Sequence, residues 1–164
     1  MNGGFFGVVI VLQLIASTQC ETILILTSVN NDCPGEVTSQ CTTLQEFASI
    51  RSQVSLLETD VILELQPGNH SLSTQLSVAN IENFTVIGKD SQVVCAQNSG
   101  GFSLTSIQNI FITRISFIKC YQNVLSRNGD SVVIRNVEFR QNRGNLIESV
   151  NTVMIAIRLC IRCK

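Results

Sequence analysis

The 164-residue chain carries few groups suited to acid–base, nucleophilic or metal chemistry. It has one histidine, His70, so a triad or a multi-histidine metal site has a single candidate. His70 closes the segment Pro67-Gly68-Asn69-His70, where the expected role is that of a structural turn residue. Four aspartates occur (Asp32, Asp60, Asp90, Asp130), and no two are close in sequence. Polysaccharide hydrolysis needs two carboxylates across one groove, and calcium sites cluster them. Glu64 and Glu82 are 18 apart and Glu138 and Glu148 are 10 apart, and neither spacing matches the period of about 22 residues that runs through the chain. Cys160-Ile161-Arg162-Cys163 is a CxxC, but zinc would need a second pair and a redox motif would need a βαβ context. No catalytic, metal or cofactor residues are therefore assigned.

The cysteines point to structure instead. Seven occur, and six are expected in disulfides: Cys33, Cys41, Cys95, Cys120, Cys160 and Cys163. Cys33–Cys41 would staple a small loop. Cys95 and Cys120 lie 25 apart, about one period, and strands about 4.8 Å apart suit a bridge between neighbours. Cys160 and Cys163 are expected to pair with each other or with residues downstream.

The seventh, Cys20, ends an address. Phe5 to Ile15 is an eleven-residue apolar run, followed by Ala16-Ser17-Thr18-Gln19. This reads as a secretory signal peptide over residues 1–20, and it is shorter than the roughly 20 residues a membrane span requires. No other run is long enough to cross, so no membrane span is expected in the mature chain. Asn69-His70-Ser71 and Asn83-Phe84-Thr85 are N-glycosylation sequons, making Asn69 and Asn83 the expected acceptors.

The elements that would hold these residues follow from a repeat. Asn83-Phe84-Thr85-Val86 matches Asn109-Ile110-Phe111-Ile112, Ser131-Val132-Val133-Ile134 and Thr152-Val153-Met154-Ile155, with steps of 26, 22 and 21. Ile115-Ser116-Phe117 matches Val137-Glu138-Phe139 in a second column. Val124-Leu125 matches Leu146-Ile147 in a third, with Phe102-Ser103-Leu104 one turn earlier. Apolar residues alternate within each triplet, which turns one face inward. Asn123 and Asn145 form a further column, as do Cys120 and Asn142. Three columns at one period predict an all-β, right-handed parallel β-helix of about five rungs. An antiparallel sandwich would need hairpin turns, and only Asn128-Gly129-Asp130 offers one. Thr22 to Thr27 reads as a strand, and Thr43 reads as the N-cap of a short capping helix. The boundaries expected are 1–20 signal peptide, 21–60 cap and 61–164 rungs, the last truncated at the C-terminus.

In this frame the order Cys33 to Cys41, Thr43-Leu44-x-x-Phe47, then Leu63-x-Leu65-x-Pro67-Gly68-Asn69-His70-x-Leu72, resembles a family. It is similar to the N-terminal part of large extracellular right-handed β-helix proteins of animals, in the pectin-lyase-like fold class. The resemblance spans roughly Thr22 to Ile155. It implies a fragment of a longer chain with further rungs, and a cell-surface location if an anchor follows. Most such proteins have no assigned activity, so it implies fold more than function.

Charge narrows the partner. From Met1 to Thr113 two basic residues stand against nine acidic, and from Arg114 onward nine stand against three. The basic third suits an acidic partner such as an anionic glycan. Aromatics do not interleave its basic residues in the way nucleic-acid binding would want, so no nucleic acid is expected. The expectation is a secreted, non-catalytic module that binds an extracellular protein or glycan. The alternative is a partial or degenerate polysaccharide-acting lyase or hydrolase. Self-association through an uncapped C-terminal rung is also expected.

Overall fold

The computed structural model describes residues 22–27, 40–51 and 60–162. The leader 1–20, Cys33 and Cys163 lie outside them, and Cys41 and Cys160 are described by their backbone alone. Ten strands and one helix follow in order: β1 (Thr22–Thr27), β2 (Gln40–Thr42), α1 (Leu44–Arg51), β3 (Asp60–Leu65), β4 (Gly68–Leu72), β5 (Leu76–Cys95), β6 (Phe102–Ile118), β7 (Val124–Arg127), β8 (Ser131–Arg140), β9 (Ile147–Val150) and β10 (Val153–Arg162). Every strand pair is parallel.

The strands stack into three columns, as the repeat predicts. The first runs β10-β8-β6-β5-β3-β1-β2. Its strands from β3 to β10 are separated by four turns of a parallel β-solenoid. The second column stacks β4 on Ser91–Cys95 of β5, then the ends of β6, β8 and β10. The third stacks Leu76–Ala79, Phe102–Thr105, β7 and β9. The column begins earlier than the repeat suggested, because β1 pairs with β3 along all six residues.

The 20-residue β5 crosses all three columns without breaking. Single residues at left-handed φ turn its corners, Asn80 (φ 57°) and Asp90 (φ 59°). The corner after the third column repeats this with Ser106, Asn128 and Asn151. Asparagine and aspartate tolerate this conformation, while other L-residues meet a cost of about 1–2 kcal/mol. Arg114, Lys119 and Gln141 nevertheless adopt it, at φ 53°, 60° and 53°.

Inward side chains form one continuous core. Phe84, Ile110 and Val132 stack by register and are buried, as do Val86, Ile112 and Ile134. Phe102 and Phe117 meet edge to face at 5.1 Å, and Phe117 stacks on Phe139 at 5.8 Å. Burying each such ring stabilises the stack by about 2–3 kcal/mol before entropy is counted. The helix packs against β4 and β5. Leu44, Phe47 and Ala48 are its buried face. A reciprocal capping box starts it: Glu46 N–H donates to Thr43 Oγ1 (3.2 Å) and Thr43 N–H donates to Glu46 Oε2 (3.0 Å). Gln45 then ties the helix to the β4–β5 link, accepting from Ser73 N–H at 2.6 Å.

Three sequence expectations are corrected. Val124 pairs with Ile147, so the third column steps by 23 there and Leu146 stands one residue before it. Val153 pairs with Ser131, so Met154 and not Val153 shares the column of Val132. One residue of slip exchanges the inward and outward sets. The cause is an inserted residue: residues 119–123 link second to third column in one rung, and residues 141–146 in the next. His70, finally, lies inside β4 and is buried, because its register position across from Val93 faces the core.

Candidate functional site

The links between the second and third columns build a concave feature on the solenoid surface. Lys119 N–H donates to Arg140 O (3.1 Å), Tyr121 N–H to Ser99 O (3.0 Å), and Arg143 N–H to Cys120 O (2.9 Å). These bonds stack residues 96–101, 119–123 and 141–146 along the solenoid. Asn142 locks the stack from its side chain: Oδ1 accepts from Cys120 N–H (2.8 Å) and Nδ2 donates to Phe117 O (3.1 Å). The predicted Cys120/Asn142 column is thus a bonded pair. Cys95 and Cys120 form a disulfide with Cα atoms 4.9 Å apart, bridging adjacent rungs as their spacing predicts.

A cavity of about 710 Å³ opens over this stack. Its floor is Val94 and the disulfide residue Cys95. Asn98, Lys119 and Gln141 line it from the left-handed corner positions, with Gln97 and Asn142 beside them. Tyr121 and Arg143 complete it. Tyr121 is 57 % exposed although it is aromatic. Gly144 lets the backbones of the two rungs approach beside it: at φ +80° it accommodates the inserted residue, and a Cβ there would lie 2.5 Å from the Tyr121 backbone O. Two cations and no carboxylate line the cavity. Lys119 and Arg143 form no ion pair among the described residues.

The residues singled out for chemistry do not converge on this cavity. Burial pushes the His70 imidazole below its ordinary pKa, against an opposing hydrogen bond to Gln66. Neutral His70 donates from Nε2 to Gln66 O at 2.7 Å, and its buried Nδ1 has no partner. Asp60 accepts from Asn83 Nδ2 at 2.7 Å. Glu64 pairs with Lys89, and Glu138 with Arg140. Glu148 accepts from Gln122 Nε2 (2.9 Å) and Asn145 Nδ2 (3.1 Å). Among the described residues no group of three or more His, Cys, Asp or Glu side chains gathers as metal ligands would. Of the two sequon asparagines, Asn69 is exposed and Asn83 is half-buried in a hydrogen-bonded ladder. The Asn123/Asn145 column is bonded through the backbone carbonyl of Asn145, which accepts from Asn123 N–H at 3.3 Å.

Sequence reasoning missed Lys119, Tyr121 and Arg143 as neighbours. The signal was present in the 22-residue step from Cys120 to Asn142, which also places Tyr121 against Arg143 and Lys119 against Gln141. No described helix is long and apolar enough to cross a membrane. Neither a family model, nor a curated protein, nor a solved structure matches the chain.

Proposed function

We propose that this chain is a secreted, non-catalytic β-solenoid module that binds an extracellular glycan or protein through its stacked outer surface. The observation that carries this reading is the cavity over residues 96–101, 119–123 and 141–146. An exposed aromatic ring, amide side chains and two cations without an ion pair among the described residues are recognition groups, held on a stack of rungs. Secretion is supported by the apolar leader of the sequence and by the Cys95–Cys120 disulfide, which persists in an oxidising compartment. The pectin-lyase-like resemblance is in keeping with the parallel three-column stack.

The test is retention of the folded chain, expressed through the secretory pathway, on a panel of immobilised polysaccharides and extracellular-matrix proteins. Selective retention on one class is expected. Failure to enter the medium, or equal passage over every surface, would overturn the reading.

A further inference from the structure

From the cavity we infer a binding site for an anionic oligosaccharide, a short sugar chain carrying carboxylate or sulfate groups. This rests on the binding-module reading and names the ligand class and the residues that take it.

The argument begins with charge. Lys119 and Arg143 stand on adjacent rungs, both exposed and both without an ion pair among the described residues. No carboxylate lines the cavity to neutralise them. A concave surface with one sign of charge concentrates ligands of the opposite sign. Arginine adds a planar fork suited to carboxylate and sulfate oxygens.

The second argument is the ring. Tyr121 lines the cavity and is mostly exposed, so its ring is presented to a ligand. Sugars present C–H faces edged with hydroxyls, which suits a flat amphipathic ring. The third is hydrogen bonding. Gln97, Asn98 and Gln141 are exposed amides that donate and accept at once, as sugar hydroxyls do. A neutral apolar ligand would use none of these groups. The volume of about 710 Å³ lies within the roughly 300–1,000 Å³ typical of small-ligand sites and holds a short oligosaccharide.

The chain contains one tyrosine and no tryptophan, so its intrinsic ultraviolet emission reports Tyr121 alone. The experiment titrates the intact chain with four probes: a heparin hexasaccharide, a hyaluronan hexasaccharide, a neutral maltohexaose and a single-stranded oligonucleotide. Calorimetry runs in parallel. The expected result is a saturable emission change with an anionic sugar, weakened by salt. Preference for heparin would assign sulfate as the recognised group, and equal response to hyaluronan would assign carboxylate. Lys119→Asn keeps a residue that tolerates left-handed φ, and Arg143→Gln keeps the side-chain length. Each should weaken the affinity by about tenfold, with unchanged melting temperatures showing that the fold is intact. Tyr121→Leu, read by calorimetry, should do the same.

Equal binding of maltohexaose, stronger binding of the oligonucleotide, or affinities indifferent to all three substitutions would overturn the site. Heparin heat without any change in emission or any effect of the substitutions would place the sugar on another face. In that case the module reading stands while this inference falls. Absence of binding in every arm also overturns the site, and retention on a matrix protein would then decide the wider reading.

Discussion

Asn109 donates from Nδ2 to Oδ1 of Asn83 at 2.9 Å, joining two rungs across 26 residues of chain. Asn83 in turn donates to Asp60 Oδ1 at 2.7 Å, and Ser131 Oγ donates to Asn109 Oδ1 at 3.1 Å. A polar ladder therefore runs up the outside of the first column from β3 to β8. It has a direction, because each asparagine donates towards the carboxylate at its foot.

That direction predicts a charge effect. Asn83→Asp would set two carboxylates side by side and remove the donor, costing about 1–2 kcal/mol at pH 7. Adding Asp60→Asn should restore most of it at pH 7. Urea unfolding of the single and double variants measures this coupling. Equal losses in both would refute it.

His70 predicts a second pH effect. Its folded pKa lies below the ordinary value of 6.5 because it is buried. The unfolded chain then binds a proton at a pH where the folded chain does not. Stability from this residue is complete above about pH 6.5 and falls as pH drops towards the depressed folded value. The slope is at most about 1.4 kcal/mol per pH unit. His70→Leu should flatten the profile between pH 7 and pH 5.5, as followed by denaturant midpoints. An unchanged profile in that variant would remove His70 as the cause.

The Cys95–Cys120 bond closes a loop of 25 residues. Replacing both cysteines by alanine should cost about 3 kcal/mol, chiefly by freeing the unfolded chain. The parallel rungs should still form, since their backbone bonds do not pass through sulfur. Thermal unfolding measures the loss. Peptide mapping without reductant should recover residues 95 and 120 in one linked species, and a Cys33–Cys95 linkage would contradict the register.

Ser106 is exposed and turns a corner at φ 54°, in line with Asn80, Asn128 and Asn151. Ser106→Asn should therefore be neutral or slightly stabilising. Ser106→Val should cost about 1–2 kcal/mol, because a branched Cβ meets the backbone there. Melting temperatures of the pair decide it. If both behave alike, backbone strain at this corner is negligible.

The columns were legible because alternating apolar residues at a 22-residue step have one economical arrangement, one face inward on stacked strands. Ile115-Ser116-Phe117 over Val137-Glu138-Phe139 lies in the register their pattern implies. The Cys95–Cys120 bridge was legible for the same reason. The register of β9 and β10 was not. Val124-Leu125 matches Leu146-Ile147 better in hydrophobicity than the true partners Ile147-Glu148 one residue later, and Gly144 is the mark of the inserted residue. The corners hid too, since Arg114, Lys119 and Gln141 take left-handed φ without a residue type that announces it. His70 read as a turn residue because Pro67-Gly68 precedes it, yet the strand resumes at Gly68. The candidate site was least legible. Tyr121 and Arg143 become neighbours through stacking, and each alone looks like an ordinary surface residue.

The central claim is recognition without catalysis. Its most direct test incubates the intact chain with the anionic polysaccharide that it retains best, then measures bound fraction and polymer length together. The account predicts saturable binding, with chain length and reducing-end count unchanged after prolonged incubation. Shortened polymer, or unsaturated ends appearing with time, would make the protein an enzyme and contradict the account.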